Sequence, residues 1–83
     1  MTHHLTLYSK PGCHLCERAL EKLRTLDVSD KFAFEEIDIT NDHGLFKKYF
    51  DKIPVLVIDQ TKTFAEPIDW DGVRAVLAPR RSA

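Results

Sequence analysis

Two cysteines, Cys13 and Cys16, are separated by His14 and Leu15 and follow a Lys10-Pro11-Gly12 turn. Disulfide exchange needs one thiolate that attacks a disulfide and a second thiol that resolves the resulting mixed disulfide. A Cys-x-x-Cys pair at a helix start supplies both. Free backbone N–H groups and the positive end of the helix dipole favour an anion there. Such placement lowers a cysteine pKa from about 8.5 to roughly 3.5–7.5. Cys16 lies about one turn further in, on the apolar face, so its thiol is expected to be more buried and less ionised. Cys13 is therefore the expected nucleophile and Cys16 the resolving thiol.

The neighbours suit that chemistry. Pro11-Gly12 removes one N–H and leaves a small, bare approach to Cys13, as a nucleophile facing a bulky disulfide requires. Lys10 and His14 are close enough in sequence to add positive charge near the thiolate, His14 only when protonated. A solvent-facing first-turn residue is the equal alternative for His14. A zinc site would need about four ligands. The chain has no second Cys-x-x-Cys and no His-x-x-x-His, and His3, His4, His14 and His43 are scattered, so no metal is expected. Two inert buried cysteines are a weaker reading still, because Cys13 follows a turn and not an apolar run.

The elements that must position this pair follow from periodicity. Leu5-Thr6-Leu7-Tyr8 reads as a strand ending in the turn at Ser9-Lys10-Pro11-Gly12. From Cys13 the period changes: Cys16, Ala19, Leu20, Leu23 and Leu26 recur at three- and four-residue steps and give one helix face. The polar stretch Asp27 to Lys31 ends that helix. Phe32 to Ile39 reads as a second strand, with Glu35, Ile37 and Ile39 on one side and Phe34, Glu36 and Asp38 on the other. Thr40 or Asn41 is the expected cap of a short helix whose Leu45, Phe46, Tyr49 and Phe50 give an apolar face. Val55-Leu56-Val57-Ile58 is apolar on both faces and predicts a central strand. Asp59 to Lys62 predicts a hairpin turn into a short strand around Thr63-Phe64-Ala65. Asp69 is the expected cap of a last helix carrying Val73, Val76 and Leu77, ended by Pro79. The order βαβαββα predicts a parallel right-handed first unit, a closing antiparallel hairpin, and a four-stranded mixed sheet flanked by helices.

Bulk properties limit the function classes. The 83 residues make one small domain, residues 1–83, and 43% hydrophobic residues can supply its core. Charge is nearly balanced, with 12 Lys and Arg against 13 Asp and Glu, and only Arg80-Arg81 cluster as pure positive charge. Nucleic acid is therefore not an expected partner. The longest apolar run is far too short to span a bilayer, so no membrane association is expected. Met1-Thr2-His3-His4 lacks the features of a secretory signal, which predicts a cytoplasmic protein. Two cysteines three apart cannot build a disulfide scaffold; in a reducing compartment the spacing reads as catalytic or metal-binding.

These residues resemble a known family. Tyr8-Ser9-Lys10-Pro11-Gly12-Cys13-His14-Leu15-Cys16, placed after a first strand, is similar to the active-site segment of glutaredoxins within the thioredoxin fold. Ile53-Pro54-Val55 is similar to the cis-proline segment at the start of that fold's third strand. The resemblance covers nearly the whole chain. It implies an α/β, thioredoxin-like fold, a cis Ile53-Pro54 bond, and substrate contact by the backbone of Ile53 beside Pro54. It also implies that Lys10, three residues before the first cysteine, holds a glutathione carboxylate.

The chain departs from the family at three places. His14-Leu15 replaces the usual Pro-Tyr, and Lys52 stands where Thr is usual. The Gly-Gly pair after the last strand is replaced by Phe64-Ala65-Glu66-Pro67-Ile68-Asp69. In the family that turn offers backbone N–H groups to the second glutathione carboxylate, whereas Glu66 adds negative charge and Pro67 lacks an N–H. Trp70 reads as a packing residue, and the Trp-Cys-Gly-Pro-Cys of thioredoxins is absent. The resemblance thus implies a divergent, glutaredoxin-like thiol–disulfide oxidoreductase, monomeric and without a bound cofactor. Its expected substrates are disulfide-containing proteins or glutathione mixed disulfides, with glutathione as a co-substrate. The expected reductant is glutathione or a thioredoxin system. The alternative is a redox-inactive thioredoxin-fold module that binds a peptide or a metal; an iron–sulfur carrier is weaker, because a dithiol can quench its own ligating thiol.

Overall fold

The alternation of Leu5 and Leu7 with Thr6 and Tyr8 belongs to a strand longer than the apolar residues alone indicate. This is β1, Thr2–Ser9. The structure is a computed structural model and describes residues 2–26 and 31–77. It continues with α1 (His14–Arg24), β2 (Lys31–Asp38), a 3₁₀ turn (Ile39–Asn41) and α2 (His43–Tyr49). The hairpin strands β3 (Val55–Ile58) and β4 (Lys62–Ala65) and a last helix α3 (Trp70–Leu77) complete it. The sheet order is β2-β1-β3-β4, with β1 parallel to β2 and β3 antiparallel to both β1 and β4. The predicted βαβαββα order and mixed four-stranded sheet are therefore present. Val55–Ile58 is an inner strand, as its two-sided apolar character requires.

The pleat divides the sheet into two faces. Leu5, Leu7, Leu56 and Ile58 point one way, and all are fully buried against Ala19 and Leu23 of α1 and Val73 and Leu77 of α3. Complete burial of such a side chain contributes about 1.5–3 kcal/mol, and these residues form the hydrophobic core. Tyr8 points the other way and stacks on Tyr49 of α2, with ring centroids 4.7 Å apart. The sheet is thus sandwiched, α1 and α3 on one side and α2 on the other. Trp70 is half-buried at the start of α3 and packs against the core, as expected of a packing residue.

Local capping refines several boundaries. Helix α1 stops at Arg24, where the Thr25 hydroxyl donates to the carbonyls of Glu21 (3.2 Å) and Lys22 (3.3 Å). Asp27 to Ser29 and Asp30, assigned to the end of that helix, and Pro79, assigned to the end of α3, lie outside the described residues. The second strand ends one residue early, at Asp38. The Asp38 carboxylate accepts from the Thr40 backbone N–H (2.9 Å) and turns Ile39 into the 3₁₀ segment, where it is fully buried.

The cap of α2 is Asp42, and not Thr40 or Asn41. Its carboxylate accepts from the Leu45 N–H at 3.0 Å. The 3₁₀ turn uses up Thr40 and Asn41, so the next side chain able to accept takes the role. Asp69 does cap α3, accepting from Gly72 N–H at 3.1 Å.

The apolar face predicted for α2 divides in two. Tyr49 reaches the sheet, but Phe46 and Phe50 are 40% and 53% exposed and stack on each other at 5.8 Å. A helix of seven residues makes about two turns, too few to bury four large side chains on one narrow contact.

Candidate functional site

The chain between β1 and α1 turns at Gly12, whose φ of +76° is a left-handed conformation that other residues adopt at a cost of about 1–2 kcal/mol. That turn delivers Cys13 to the N-cap of α1 in extended conformation, φ −90° and ψ 106°. The Cys13 carbonyl accepts the first helical bond, from Glu17 N–H at 3.0 Å. Its Sγ takes the place of the usual capping oxygen and accepts from Cys16 N–H at 3.1 Å. A sulfur in that position is held by a backbone donor and by the helix dipole, both of which stabilise the thiolate over the thiol.

Cys13 is partly exposed, whereas Cys16 is only 3% exposed on the buried face of α1. Their Cα atoms are 5.2 Å apart and their sulfurs are at disulfide distance. That separation lies in the usual range for a disulfide. The pair can therefore close without movement of the backbone.

A cleft of about 340 Å³ opens beside the pair. Lys10, Pro11 and Gly12 form one part of its wall, Glu17 and Leu20 of α1 another, and Ser9, Glu36 and Asp38 the third. Lys10 is thus gathered with both cysteines. His14 is not: its side chain is 93% exposed, with Nδ1 3.6 Å from Glu17 Oε2.

Ile53 and Pro54 do not line this cleft. The pairing of Tyr8 with Val55 puts Pro54 beside Ser9, at the same end of the sheet as the dithiol. The Ile53-Pro54 bond is cis, as is Glu66-Pro67. The Ile53 N–H donates to the Tyr49 carbonyl at 3.1 Å and is committed within the chain.

Sequence reasoning did not find Ser9, Glu36 and Asp38 as parts of this site. Ser9 is 4% exposed and its hydroxyl donates to Glu36 Oε2 at 2.9 Å. Alternation along β2 placed Glu36 and Asp38 on one side, but only the parallel pairing of Ser9 with Asp38 brings them beside the dithiol loop. Among the described residues, no group of three or more His, Cys, Asp and Glu side chains is arranged to hold a metal ion. Nor is any described helix long and apolar enough to cross a membrane.

Comparison with known proteins agrees with this geometry. The family described as Glutaredoxin-like domain (DUF836) matches residues 4–78. The chain belongs to this glutaredoxin-like family. A relative from Dictyostelium discoideum, described as "Glutaredoxin-like protein YDR286C homolog", is 37% identical over 76 residues, covering 82% of this chain and 68% of the relative. The solution NMR structure of protein Ne2328 from Nitrosomonas europaea superposes with a TM-score of 0.77 at 33% identity, covering 92% of each chain. The X-ray structure of protein XcR50 from X. campestris gives 0.73 at 34% identity, covering 88% of this chain and 93% of that one. The fold of this glutaredoxin-like chain is thioredoxin-like α/β, and its Cys13–Cys16 pair fits a thiol-redox role.

Proposed function

We propose that this glutaredoxin-like chain is a small thiol–disulfide oxidoreductase that reduces disulfides through Cys13 and Cys16. One observation carries the reading: Cys13 Sγ caps α1 and accepts the Cys16 N–H at 3.1 Å, while Cys16 itself is 3% exposed. The two thiols are in unequal environments, as a nucleophile and a resolving thiol must be.

In the first step the Cys13 thiolate attacks one sulfur of a substrate disulfide. A Cys13–substrate bond forms, the substrate S–S bond breaks, and the departing thiolate takes up a proton. Cys16, deprotonated, then attacks Cys13 Sγ, closes the Cys13–Cys16 disulfide and releases the second substrate thiol. The substrate gains two electrons and the pair loses two. An external thiol reductant, glutathione or a thioredoxin system, restores the dithiol.

Lys10, in the same cleft as the cysteines, is the cation for a substrate carboxylate. Substrate contact at the cis-proline falls to the Ile53 carbonyl and to Pro54, because the Ile53 N–H is engaged by Tyr49. The protein acts in a reducing compartment such as the cytoplasm, where such a pair is kept as thiols.

The test is an assay of the purified protein with a disulfide substrate under two conditions, a glutathione-linked and a thioredoxin-linked reductant. Turnover with at least one, abolished by Cys13→Ser, is expected. Inactivity with both would overturn the reading and favour a binding module.

A further inference from the structure

The end of the sheet that carries the dithiol is acidic on its β2 side. The pairings Ser9–Asp38, Tyr8–Val55 and Val55–Ala65 set up a row across that end: Asp38, Ser9, Pro54, Glu66. Glu17 and Glu36 join Asp38 on the wall of the cysteine cleft, where Lys10 is the cation among the lining residues. Glu66, at the opposite edge, does not line this cleft; it lines a separate groove with Arg18 and Lys22, and its N–H donates to the Lys52 carbonyl at 3.4 Å.

Neutral groups hold two of these carboxylates in place. Glu36 accepts from the Ser9 hydroxyl at 2.9 Å, and Asp38 from the Thr40 N–H at 2.9 Å and hydroxyl at 2.6 Å. Such bonds orient a carboxylate without cancelling its charge. The cleft therefore presents fixed negative charge to whatever approaches Cys13. A cleft lined by one sign of charge concentrates the opposite sign and raises its association rate by about 10–10³-fold.

We infer that the dithiol serves disulfides in cationic polypeptides, with Lys or Arg flanking the bridged cysteine, in preference to the anionic glutathione disulfide. This rests on the oxidoreductase reading above and names its substrate class. Glu17, Glu36 and Asp38 set the selection. The chemical step is the same two-stage exchange, and the carboxylates act only on the encounter.

The test mixes the reduced protein with three probes in separate experiments. Two are disulfide-linked peptides of one sequence, with either lysines or glutamates beside the bridged cysteine; the third is oxidised glutathione. Oxidation of Cys13 and Cys16 is followed by quenched alkylation and mass spectrometry. Each rate is divided by that of the uncharged dithiol dithiothreitol with the same probe, which removes the intrinsic reactivity of each disulfide.

At low salt the lysine peptide should react at least about tenfold faster than the glutamate peptide and glutathione disulfide. Salt should shrink the preference to within about threefold, because the screening length falls to about 3 Å at 1 M. The variant E17Q/E36Q/D38N, which keeps the hydrogen-bond acceptors, should show the smaller preference at every salt concentration. Equal normalised rates at low salt, or a preference that salt leaves unchanged, would overturn the charge selection alone. No exchange with any probe would overturn the oxidoreductase reading with it. The salt series uses the unaltered protein and stands even if the variant fails to fold.

Discussion

Cys13 Sγ accepts the backbone N–H of Cys16 at 3.1 Å and so serves as the N-cap of α1. The reactive sulfur and the helix that supports it are one structural unit. Capping and acidity must therefore change together. In the reduced protein the Cys13 thiol should titrate below the free-cysteine value of about 8.5, because the Cys16 N–H and the helix dipole favour the thiolate. Thiolate absorbance in a Cys16→Ser variant, recorded from pH 3 to 10, measures it. A value near 8.5 would remove the argument for Cys13 as nucleophile. The same variant should accumulate a stable mixed disulfide at Cys13, visible as a mass adduct, because the resolving thiol is gone.

The hairpin turn supplies a pH dependence. Asp59 is held below the ordinary aspartate range by the His3 side chain, 2.6 Å away, and then by the His4 N–H at 2.8 Å. A depressed carboxylate pKa gives stability that is present above the unfolded value and lost as pH falls through the folded one. Asp59 should thus stabilise the protein at neutral pH and cease to do so as pH drops below about 4. Asp59→Asn keeps an acceptor for His4 but removes the charge. Melting temperatures of the two proteins should differ at pH 6 and converge toward pH 2.5.

The α2 cap is a second local test. Asp42→Ala should cost about 0.5–2 kcal/mol, the usual effect of losing an N-cap acceptor. Asn41→Ala, one position earlier, should change stability by less than about 0.5 kcal/mol, as expected of an exposed position that caps nothing. Urea denaturation of both variants decides between the two caps.

Leu7 and Leu56 are paired across β1 and β3 and are both fully buried between the sheet and its helices. Leu7→Ala should lose about 2–5 kcal/mol by urea denaturation, the range for a leucine truncated in a packed core. For a domain whose whole stability is on the order of 5–15 kcal/mol, that loss should also lower the yield of folded protein.

Exposed Phe50 is the counterpart, 53% exposed at the end of α2. Phe50→Ser should lower the unfolding free energy measured in urea by less than Leu7→Ala does, because about half of the ring stays in water on folding. A large loss would mean that the Phe46–Phe50 stack contributes to the fold.

Local periodicity alone determined much of this protein. The alternation of Leu5 and Leu7, the three- and four-residue steps from Cys16 to Leu23, and the carboxylate of Asp69 ahead of an apolar helix depend on neighbours a few residues away. Those elements are present, although β1 runs beyond its apolar residues and α1 stops at Arg24, before Leu26. The dithiol at a helix start is equally local, since a turn ending in Gly12 and a cap at Cys13 need no distant partner. Tertiary structure decided what depends on two segments meeting. The 3₁₀ turn after Asp38 displaced the α2 cap to Asp42, and Phe46 and Phe50 found no surface to cover them. Above all, the parallel register of β1 and β2 brought Glu36 and Asp38, more than twenty positions from Cys13 in the chain, to its cleft. Side-chain charge is written in the sequence, but its distance from the sulfur is set by strand pairing, and electrostatic energy depends on that distance.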